Sequence, residues 1–244
     1  MSGLAQSYAW LGQQLLTRHR VDEVFEALTS VGVRQLPGAE HAGITRYQRG
    51  ALETFAATSP LVTSTDKIQY ELGSGPCIDA IRAAAVLRTG DLRLEPRWPE
   101  FGPRAYDATG VQSMLSYRLY VEEQDDVVTS LNFYSTEAGA FTMWAETVGL
   151  LLATHGALAV ANAWARERNE DLSRALVSNR VIGMAIGILV STHKVTPEGA
   201  LGLLRVASQH RNRKLADLAD EVVSTGALVL PEGAAKDVAR LIRS

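Results

Sequence analysis

Residues 180–189 read RVIGMAIGIL, an apolar segment in which Gly183 and Gly187 lie four positions apart. Residues at that spacing share one face of a helix, and each glycine costs about 0.8–1 kcal/mol relative to alanine inside a helix. A closely approaching body would offset this cost. Gly183 and Gly187, with Ala185 nearby, therefore predict a close-approach face, whose partner is either a packed helix or a nucleic acid backbone.

The helix that carries this segment is predicted to start far upstream, because residues 141–190 contain no proline and no cluster of turn residues. Alternating steps of four and three trace one stripe along it: Trp144, Val148, Leu151, His155, Leu158, Asn162, Ala165, Asn169, Leu172, Leu176 and Asn179. This spacing is typical of a coiled-coil seam, in which buried asparagine fixes register and strand number. We therefore expect a parallel homodimer through this helix. Its predicted seam residues are Val148, Leu151, Leu158, Asn162, Asn169, Leu172 and Leu176. A single helix that lies on its own domain is the alternative.

Two short helices are predicted after the long one. Thr196 is a good N-cap residue and Pro197 a good first helical residue. The second short helix carries apolar residues from Leu215 to Val223, and Gly226 supplies its stop. The sequence therefore predicts a small helical module in the C-terminal part of the chain.

The net charge of −3 hides an asymmetry between the two parts of the chain. Residues 1–171 hold 14 basic and 21 acidic side chains, whereas residues 172–244 hold 10 basic and 6 acidic ones. Between residues 172 and 216 there are seven basic residues and one acidic residue, Glu198. A basic module attached to an acidic one favours a polyanionic ligand for the basic module. A solvated helix surface is the alternative explanation.

Three cations, Arg211, Arg213 and Lys214, cluster where the last helix is predicted to begin. Cations at this end oppose the helix dipole, so a purely structural helix would favour acidic residues there. Cations beside free backbone N–H groups instead suit a phosphate. The cluster is interpreted as a phosphate-binding site, with a solvated turn as the alternative.

Residues 1–140 are predicted to form an α+β domain built on an antiparallel sheet. Apolar residues at helical spacing run from residue 4 to residue 36, where Pro37 and Gly38 end the helical region. Five strands are expected at residues 41–47, 52–58, 86–89, 113–121 and 127–135. Short helices are expected from residue 76 to about residue 84 and within residues 97–106.

No pattern typical of catalysis or metal binding is found in the sequence. The segment GSGPC (73–77) lacks the Gly-Lys-Ser/Thr of a phosphate-binding loop and the third glycine of a dinucleotide fingerprint. The five histidines have no short metal-ligand spacing. Cys77 falls in the first turn of a helix, where the dipole lowers a thiol pKa. A buried structural cysteine is expected there, with a redox-sensing thiol as the alternative. The expectation is no catalytic residue, no metal and no cofactor.

Several segments together resemble two known domain families. RVIGMAIGIL (180–189), LRVASQ (204–209), NRKL (212–215) and ADEVV (219–223) resemble the ANTAR domain over roughly 55 residues. Upstream, YELGSGPCIDA (70–80), RWPEF (97–101) and LNFYS (131–135) resemble the GAF domains that are fused to ANTAR in actinobacterial regulators. The resemblance implies a GAF sensor domain over residues 1–140, a linking coiled-coil helix over 141–171, a three-helix ANTAR domain over 172–230 and a tail over 231–244.

The resemblance also implies a function, that of an RNA-binding transcription antitermination regulator. ANTAR modules bind paired stem-loops in nascent transcripts and so compete with a terminator hairpin, while the GAF domain senses a signal and can bind a small molecule. Unpaired loop bases are read by short amides, hydroxyls and arginine. RNA contacts are therefore predicted at Arg180, Lys194, Arg205, Ser208, Gln209, Arg211, Asn212, Arg213 and Lys214. A DNA-binding, ligand-responsive regulator is the alternative, because short helices with a basic terminus also suit a helix-turn-helix.

The chain departs from many ANTAR relatives directly after the Ile-Leu pair of residues 188–189. Relatives carry methionine and then a basic residue after the Ile-Leu pair, whereas this chain continues VSTHK (190–194), so Lys194 replaces that charge.

The first residues show no basic region followed by an apolar run, as a secretion signal would. The most apolar stretch, 148–160, is too short to span a bilayer. A cytoplasmic protein without a membrane segment is expected.

Overall fold

The computed structural model describes residues 18–83, 86–122 and 126–229. The chain divides into two compact units, Met1–Glu167 and Arg168–Ser244. The helix predicted over residues 4–36 is confirmed from Val21 to Gln35. Its part before residue 18 lies outside the described residues, as does the predicted tail, 231–244.

The first unit is an α+β domain on a five-stranded sheet, as predicted. Along the chain its elements are α1 (Val21–Gln35), β1 (His41–Gln48), β2 (Ala51–Phe55), α2 (Pro60–Leu72), α3 (Pro76–Ala83), β3 (Val86–Thr89), a short 3-10 helix (Leu92–Leu94), α4 (Phe101–Thr109), β4 (Ser113–Glu122), β5 (Val127–Ser135) and the start of α5 (Met143–His193). The strands lie in the order β2-β1-β5-β4-β3. Every neighbouring pair is antiparallel.

Helices cover both faces of this sheet, because successive side chains of a strand point to opposite faces. On one face, α1 and the first part of α5 bury side chains such as Phe25, Leu28 and Leu152 against Ile44 and Phe133 of the sheet. On the other face, α2, α4 and the 3-10 helix bury residues that include Val62, Trp98, Phe101, Met114 and Tyr134. The helix α3 packs on this second face, against β4 and β5.

The sequence failed to predict α2. The end of one strand and the bounds of one helix also differ from their predicted positions. The buried face of α2 includes Asp66 and Gln69 beside Val62 and Ile68, so the apolar spacing that marks a helix is interrupted. The predicted strand over 52–58 ends at residue 55, because Ala56 adopts a left-handed conformation with φ of 48°. The helix predicted within 97–106 lies at Phe101–Thr109 and ends at Gly110.

The second unit is a small helical module made of the end of α5 with α6 (Pro197–Arg211) and α7 (Leu215–Thr225). The predicted helix ends are confirmed: the Thr196 hydroxyl accepts a hydrogen bond from the Gly199 N–H at 3.1 Å, and Gly226 closes α7 with φ of 76°. A separate core holds the three helices together. Its buried residues are Ala185, Leu189, Val195, Ala200, Leu203, Leu204, Ala219 and Val222.

The long helix α5 runs unbroken over 51 residues, as the absence of proline predicted. Residues 141–171 were expected to link the two domains. Instead, α5 contributes to the core of the first unit as far as Ala163, through a stripe of small and apolar side chains. The helix thus extends the first unit well beyond residue 140. Beyond Ala163, Trp164 still packs on Tyr120 and Glu167 accepts a hydrogen bond from the Val21 N–H, and the second unit begins at Arg168.

By length and composition alone, α5 meets the criterion for a membrane span, through one 18-residue window with a mean hydropathy of 1.6. The expectation that no apolar segment is long enough does not hold for this helix. One such helix is weak evidence for a membrane segment, because the core helices of soluble proteins meet the same criterion. Residues of α5 belong to the hydrophobic cores of both units.

Candidate functional sites

The turn between α6 and α7 carries four of the predicted RNA-binding residues, 211–214. Asn212 ends α6 in the left-handed conformation, with φ of 48°. The Arg213 N–H donates to the Ser208 carbonyl at 3.2 Å, and the Ser208 hydroxyl donates to the Arg213 carbonyl at 2.6 Å. The turn is therefore fixed by its own hydrogen bonds. Ser208, predicted to read bases, has its hydroxyl proton engaged inside the turn.

The two arginines of this turn share one carboxylate. The Arg213 guanidinium lies 2.6 Å from Glu221 Oε2, and the Arg211 guanidinium lies 3.3 Å from Glu221 Oε1. Hydrogen bonding by Arg213, and then by Arg211, lowers the pKa of Glu221 below its usual value. The sequence predicted that these cations oppose the dipole of the last helix. The tertiary structure supplies a compensating charge for the two arginines, because Glu221, ten residues after Arg211, lies beside both of them.

The other predicted cations are free of such partners. Across the described residues, Arg180, Lys194, Arg205 and Lys214 have no ion-pair partner, and all four are exposed. Lys194 follows the end of α5 with φ of 55°. Arg205 and Gln209 lie four residues apart on α6, so both project from one face of that helix. These side chains are available to an anionic ligand.

Two of the three residues predicted as a close-approach face lie open. Gly183 and Gly187 are exposed, and a Cβ added at either would meet no described atom within 4 Å other than those of the adjacent residues and of the surrounding helix backbone. Ala185 does not share their face, because it is fully buried in the core of the module. Ala185 lies two positions from each glycine. Because a helix turns by about 100° per residue, Ala185 is on the opposite side of the helix from both. The predicted face is therefore Gly183 and Gly187 without Ala185.

Most of the predicted dimer seam is exposed, and one member is not. Leu158, Leu172 and Leu176 are 62%, 56% and 70% exposed, and Leu151 is 38% exposed. Asn162 and Asn169 are exposed as well. The prediction of Val148 as a seam residue was wrong, because Val148 is only 4% exposed and packs in the core of the first unit. The alternative reading, a helix that lies on its own domain, therefore accounts for the face of α5 that holds Val148 but not for the leucine stripe.

A buried polar network occupies the sheet face that α2 and α3 cover. The carboxylate of Asp66 accepts hydrogen bonds from the Tyr134 hydroxyl at 2.5 Å, from Thr54 Oγ1 at 2.9 Å and from Gln69 Nε2 at 3.1 Å. Burial nevertheless raises the pKa of Asp66 to about 6, since desolvation disfavours the charged form more than these hydrogen bonds favour it. The Tyr70 hydroxyl extends the network from Thr54 to Thr45.

Next to this network, four polar side chains on β4 and β5 hold buried atoms without a partner. Within the described residues, Ser116 Oγ, Ser130 Oγ, Asn132 Oδ1 and Arg118 Nε make no hydrogen bond. The strand register pairs Ser116 with Asn132 and Arg118 with Ser130, so all four lie on one sheet face. Sequence reasoning missed this cluster. The signal was a pair of polar residues at alternate positions in each strand, 116 and 118 on β4 and 130 and 132 on β5, between buried apolar residues such as Leu115, Tyr117 and Leu131.

Cys77 is the buried structural cysteine that the sequence favoured. Its side chain is fully buried, and its N–H donates to Gln69 Oε1 at 3.0 Å. Burial first, and then the charge of Asp66, raises the pKa of the Cys77 thiol well above its usual value. The redox-sensing alternative assumed an exposed thiol with a lowered pKa, whereas burial acts on the pKa of Cys77 in the opposite direction.

In residues 18–83, 86–122 and 126–229, no group of three or more histidine, cysteine, aspartate or glutamate side chains is arranged to hold a metal ion.

Comparison with family models gives two matches that together cover most of the chain. A GAF domain model matches residues 18–161, and an ANTAR domain model matches residues 170–223. No match was found among the curated proteins.

Solved structures agree on the fold of the first unit. The GAF domain of a phosphoenolpyruvate-protein phosphotransferase from Coxiella burnetii has a TM-score of 0.53 at 16% identity, over 68% of this chain and 96% of that one. Free methionine-R-sulfoxide reductase from Neisseria meningitidis, in complex with its substrate, has a TM-score of 0.51 at 10% identity, over 66% and 90% of the two chains. The phytochrome photosensory core module of Stigmatella aurantiaca has a TM-score of 0.56 at 13% identity, over 89% and 45%. At these identities the likeness shows the fold alone.

Together the two matched models define a sensory regulator with an effector module. The chain belongs to the GAF domain family and also contains an ANTAR domain. GAF domains are sensor domains, and ANTAR domains are RNA-binding antitermination modules. Both kinds of domain are typically soluble and without enzymatic activity.

Proposed function

We propose that this protein is a transcription antitermination regulator whose ANTAR module binds paired stem-loops in nascent RNA and whose GAF domain senses a signal. The observation that carries the proposal is the set of exposed, unpartnered cations on a module that matches the ANTAR domain. Arg180, Lys194, Arg205 and Lys214 are available to phosphates, and Arg211 and Arg213 supply two more guanidinium groups, which Glu221 holds.

The exposed residues next to these cations suit recognition of single-stranded loops. Gln209 and Asn212 present amides, which can bond to the base edges that hairpin loops expose. The open face at Gly183 and Gly187 admits a closely approaching backbone. In this proposal, Arg180, Lys194, Arg205 and Lys214 supply phosphate contacts, while Gln209 and Asn212 supply preference for the loop sequence.

The proposal includes a parallel homodimer through α5. Leu158, Leu172 and Leu176 expose an apolar row at coiled-coil spacing, and Asn162 and Asn169 lie in the same stripe. An exposed apolar row of this kind is commonly covered by a partner. A dimer presents two ANTAR modules, which matches a target made of two stem-loops.

We further propose that the GAF domain has no catalytic turnover and that the protein works in the cytoplasm, where nascent transcripts are found. Four buried polar atoms on β4 and β5 have no hydrogen-bond partner among the described residues, which suits ligand binding. No nucleophile with a lowered pKa accompanies them among the described residues, since the Cys77 thiol has a raised pKa. Purified protein should therefore hydrolyse no cyclic nucleotide.

The decisive experiment compares two nucleic acids of equal charge. Full-length protein is titrated with a two-hairpin RNA and with duplex DNA at several fixed salt concentrations, because the salt dependence separates phosphate contacts from sequence reading. Tighter binding of the RNA at every salt concentration supports the proposal. Tighter binding of the duplex supports instead a DNA-binding, ligand-responsive regulator. Sequencing RNA that co-purifies with the protein then identifies the transcripts.

The dimer is tested separately by light scattering at micromolar concentration, with and without RNA. Leu158→Glu places a charge in the proposed seam and should give a monomer. Leu94→Glu is the matched control, because Leu94 is 79% exposed and lies in the 3-10 helix, away from α5. A parent protein that is monomeric under both conditions contradicts the dimer.

A further inference from the structure

A cavity of about 320 Å³ lies between α3 and the sheet in the GAF domain. Its lining consists of Tyr47, Leu52, Ile78, Ile81, Arg82 and Val128. Most of this lining is apolar, and the volume falls at the lower end of the range for small-molecule pockets. Tyr47 and Val128 pair directly across β1 and β5, so the sheet forms the floor of the cavity.

The cluster of unpartnered polar atoms continues this floor. Ser130 lies two residues from Val128 on the same face of β5, a step of about 7 Å. In the neighbouring strands, Ser130 pairs with Thr45 on one side and with Arg118 on the other. The next pair along the same face is Ser116 with Asn132. The apolar cavity and the polar cluster thus form one continuous strip beneath α3.

This cluster calls for an occupant, because buried polar atoms in folded proteins nearly always have a hydrogen-bond partner. Ser116, Ser130 and Asn132 are fully buried. The Nε–H of Arg118 is buried and has no acceptor, and no described carboxylate lies within ion-pair distance of its guanidinium. One guanidinium N–H, two hydroxyls and one amide oxygen therefore lie at neighbouring positions of one sheet face, and none has a hydrogen-bond partner among the described residues.

We propose that this strip binds a small hydroxycarboxylate with an apolar body, and that this ligand is the signal which the GAF domain senses. The carboxylate accepts from Arg118 and from the hydroxyls of Ser116 and Ser130. The ligand hydroxyl donates to Asn132 Oδ1, the one cluster atom that can only accept. The apolar body fills the cavity beside Ile78, Ile81 and Val128. The inference rests on the sensor part of the proposed function.

The charges favour a carboxylate over a phosphate. The cluster contains one cation, Arg118, whose planar guanidinium matches a planar carboxylate of single charge. Arg82, the other cation of the cavity, is on the exposed side and donates to the Gly73 carbonyl at 3.2 Å. A phosphate would bring close to two negative charges and more acceptors than the cluster has donors. A neutral ligand would leave Arg118 without a counter-charge.

Three matched probes test the ligand class by calorimetry on the full-length protein. They are 3-phenyllactate, 3-phenylpropionate, which lacks the hydroxyl, and 3-phenyllactamide, which lacks the charge. 3-Phenyllactate should bind most tightly. 3-Phenyllactamide should bind ~10- to 100-fold more weakly than 3-phenyllactate, because it cannot form charge-assisted hydrogen bonds with Arg118, and these are stronger than neutral ones. If none of the three binds at millimolar concentration, water alone fills the strip and the proposal is overturned.

Two variants locate the site. Arg118→Met removes the charge while it keeps an unbranched side chain. This variant should bind 3-phenyllactate and 3-phenyllactamide with equal affinity. Arg104→Met is the matched control, because Arg104 is exposed and pairs with Glu71 on the surface; it should still bind 3-phenyllactate more tightly than 3-phenyllactamide. Equal binding of 3-phenyllactate to both variants refutes the assignment. If Arg118→Met lowers the melting temperature, Ser130→Ala, which keeps the charge, should still weaken 3-phenyllactate binding relative to Ser64→Ala on the surface.

RNA binding is recorded for the same proteins, so that the two proposals fail separately. Protein that binds the two-hairpin RNA but none of the probes leaves the RNA function standing and removes this ligand. Protein that binds 3-phenyllactate through Arg118 but no RNA keeps the pocket and removes the antitermination function.

Discussion

The two units of this protein place their functional polar groups in opposite ways. In the GAF domain, Asp66, Ser116, Ser130 and Asn132 are buried beneath helices on one face of the sheet. In the ANTAR module, the cations lie on the surface, and its core is purely apolar. A buried polar group must be matched by a partner of defined geometry, whereas an exposed cation keeps its hydration until a ligand arrives.

This difference determines what a substitution does in each unit. A change at Asp66 in the GAF domain alters the free energy of unfolding, because this carboxyl group is fully buried and bonded to Tyr134, Thr54 and Gln69. A change in the ANTAR cations alters binding with little effect on folding, because most of them are exposed and form no ion pair with the described residues. The four predictions that follow test this contrast, in order of decreasing expected effect.

The largest effect concerns the pH dependence of stability at Asp66. Its pKa in the folded protein is raised to about 6 from an ordinary 3.8. The contribution of Asp66 is therefore fully present below about pH 4 and is lost as pH rises to about 6. The loss is on the order of 3 kcal/mol, since each pKa unit corresponds to about 1.4 kcal/mol.

Asp66→Asn removes this titration while Thr54 and Tyr70 can reorient their hydroxyls to satisfy the amide. Denaturant unfolding of both proteins at several pH values gives the difference in unfolding free energy, which should move in favour of the variant between pH 4 and pH 6. Exposed Asp107→Asn is the control. A difference that stays constant over this range shows that Asp66 is not desolvated.

The second prediction concerns exposed charge in the ANTAR module. Reversing Arg205 and Lys214 together should weaken binding of a two-hairpin RNA on the order of 100-fold at physiological salt and reduce the salt slope by about two. Lys67→Glu with Arg104→Glu is the control, because both residues are exposed cations of the GAF domain. Circular dichroism checks folding. A double reversal that binds RNA as tightly as the parent places the RNA interface elsewhere.

The third prediction uses glycines of the same helix in the two units. Gly183→Ala and Gly187→Ala should each raise stability by about 0.8–1 kcal/mol, because their surroundings are open. Gly149→Ala and Gly156→Ala should lower it instead, because the new Cβ would overlap Tyr117 or Leu28. Thermal unfolding measures all four. Weaker RNA binding by the two stabilised variants would establish the close-approach face, and unchanged RNA binding would remove it.

The smallest effect concerns Glu221, which holds Arg211 and Arg213 at the start of α7. Glu221→Gln should tighten RNA binding by about threefold, because phosphates no longer compete with a surface carboxylate. Asp220→Asn on the same helix is the control, being exposed and without an ion pair among the described residues. Weaker RNA binding by the Glu221 variant would mean that the carboxylate positions the arginines for RNA.

Sequence patterns predicted the elements whose signals are local. Thr196 with Pro197 marked the start of α6, and Gly226 marked the end of α7, because capping depends on a few adjacent residues. The five strands were found from alternation and turns. The helix α2 was missed because Asp66 and Gln69 replace apolar residues on its buried face, and their burial depends on Tyr134, which lies 68 positions from Asp66.

The sequence by itself determined the class of this protein: a sheet domain, an unbroken helix and a basic helical module, each marked by periodicity or charge that neighbouring residues carry. Only the tertiary structure decided which polar groups are paired. It brought Glu221 to Arg211 and Arg213, buried Val148 in the first core and separated Ala185 from the open glycines. It also placed Arg118 beside Ser130 with no counter-charge among the described residues. These outcomes depend on distances between residues far apart in the chain, and desolvation and Coulomb interactions act through space rather than along the sequence.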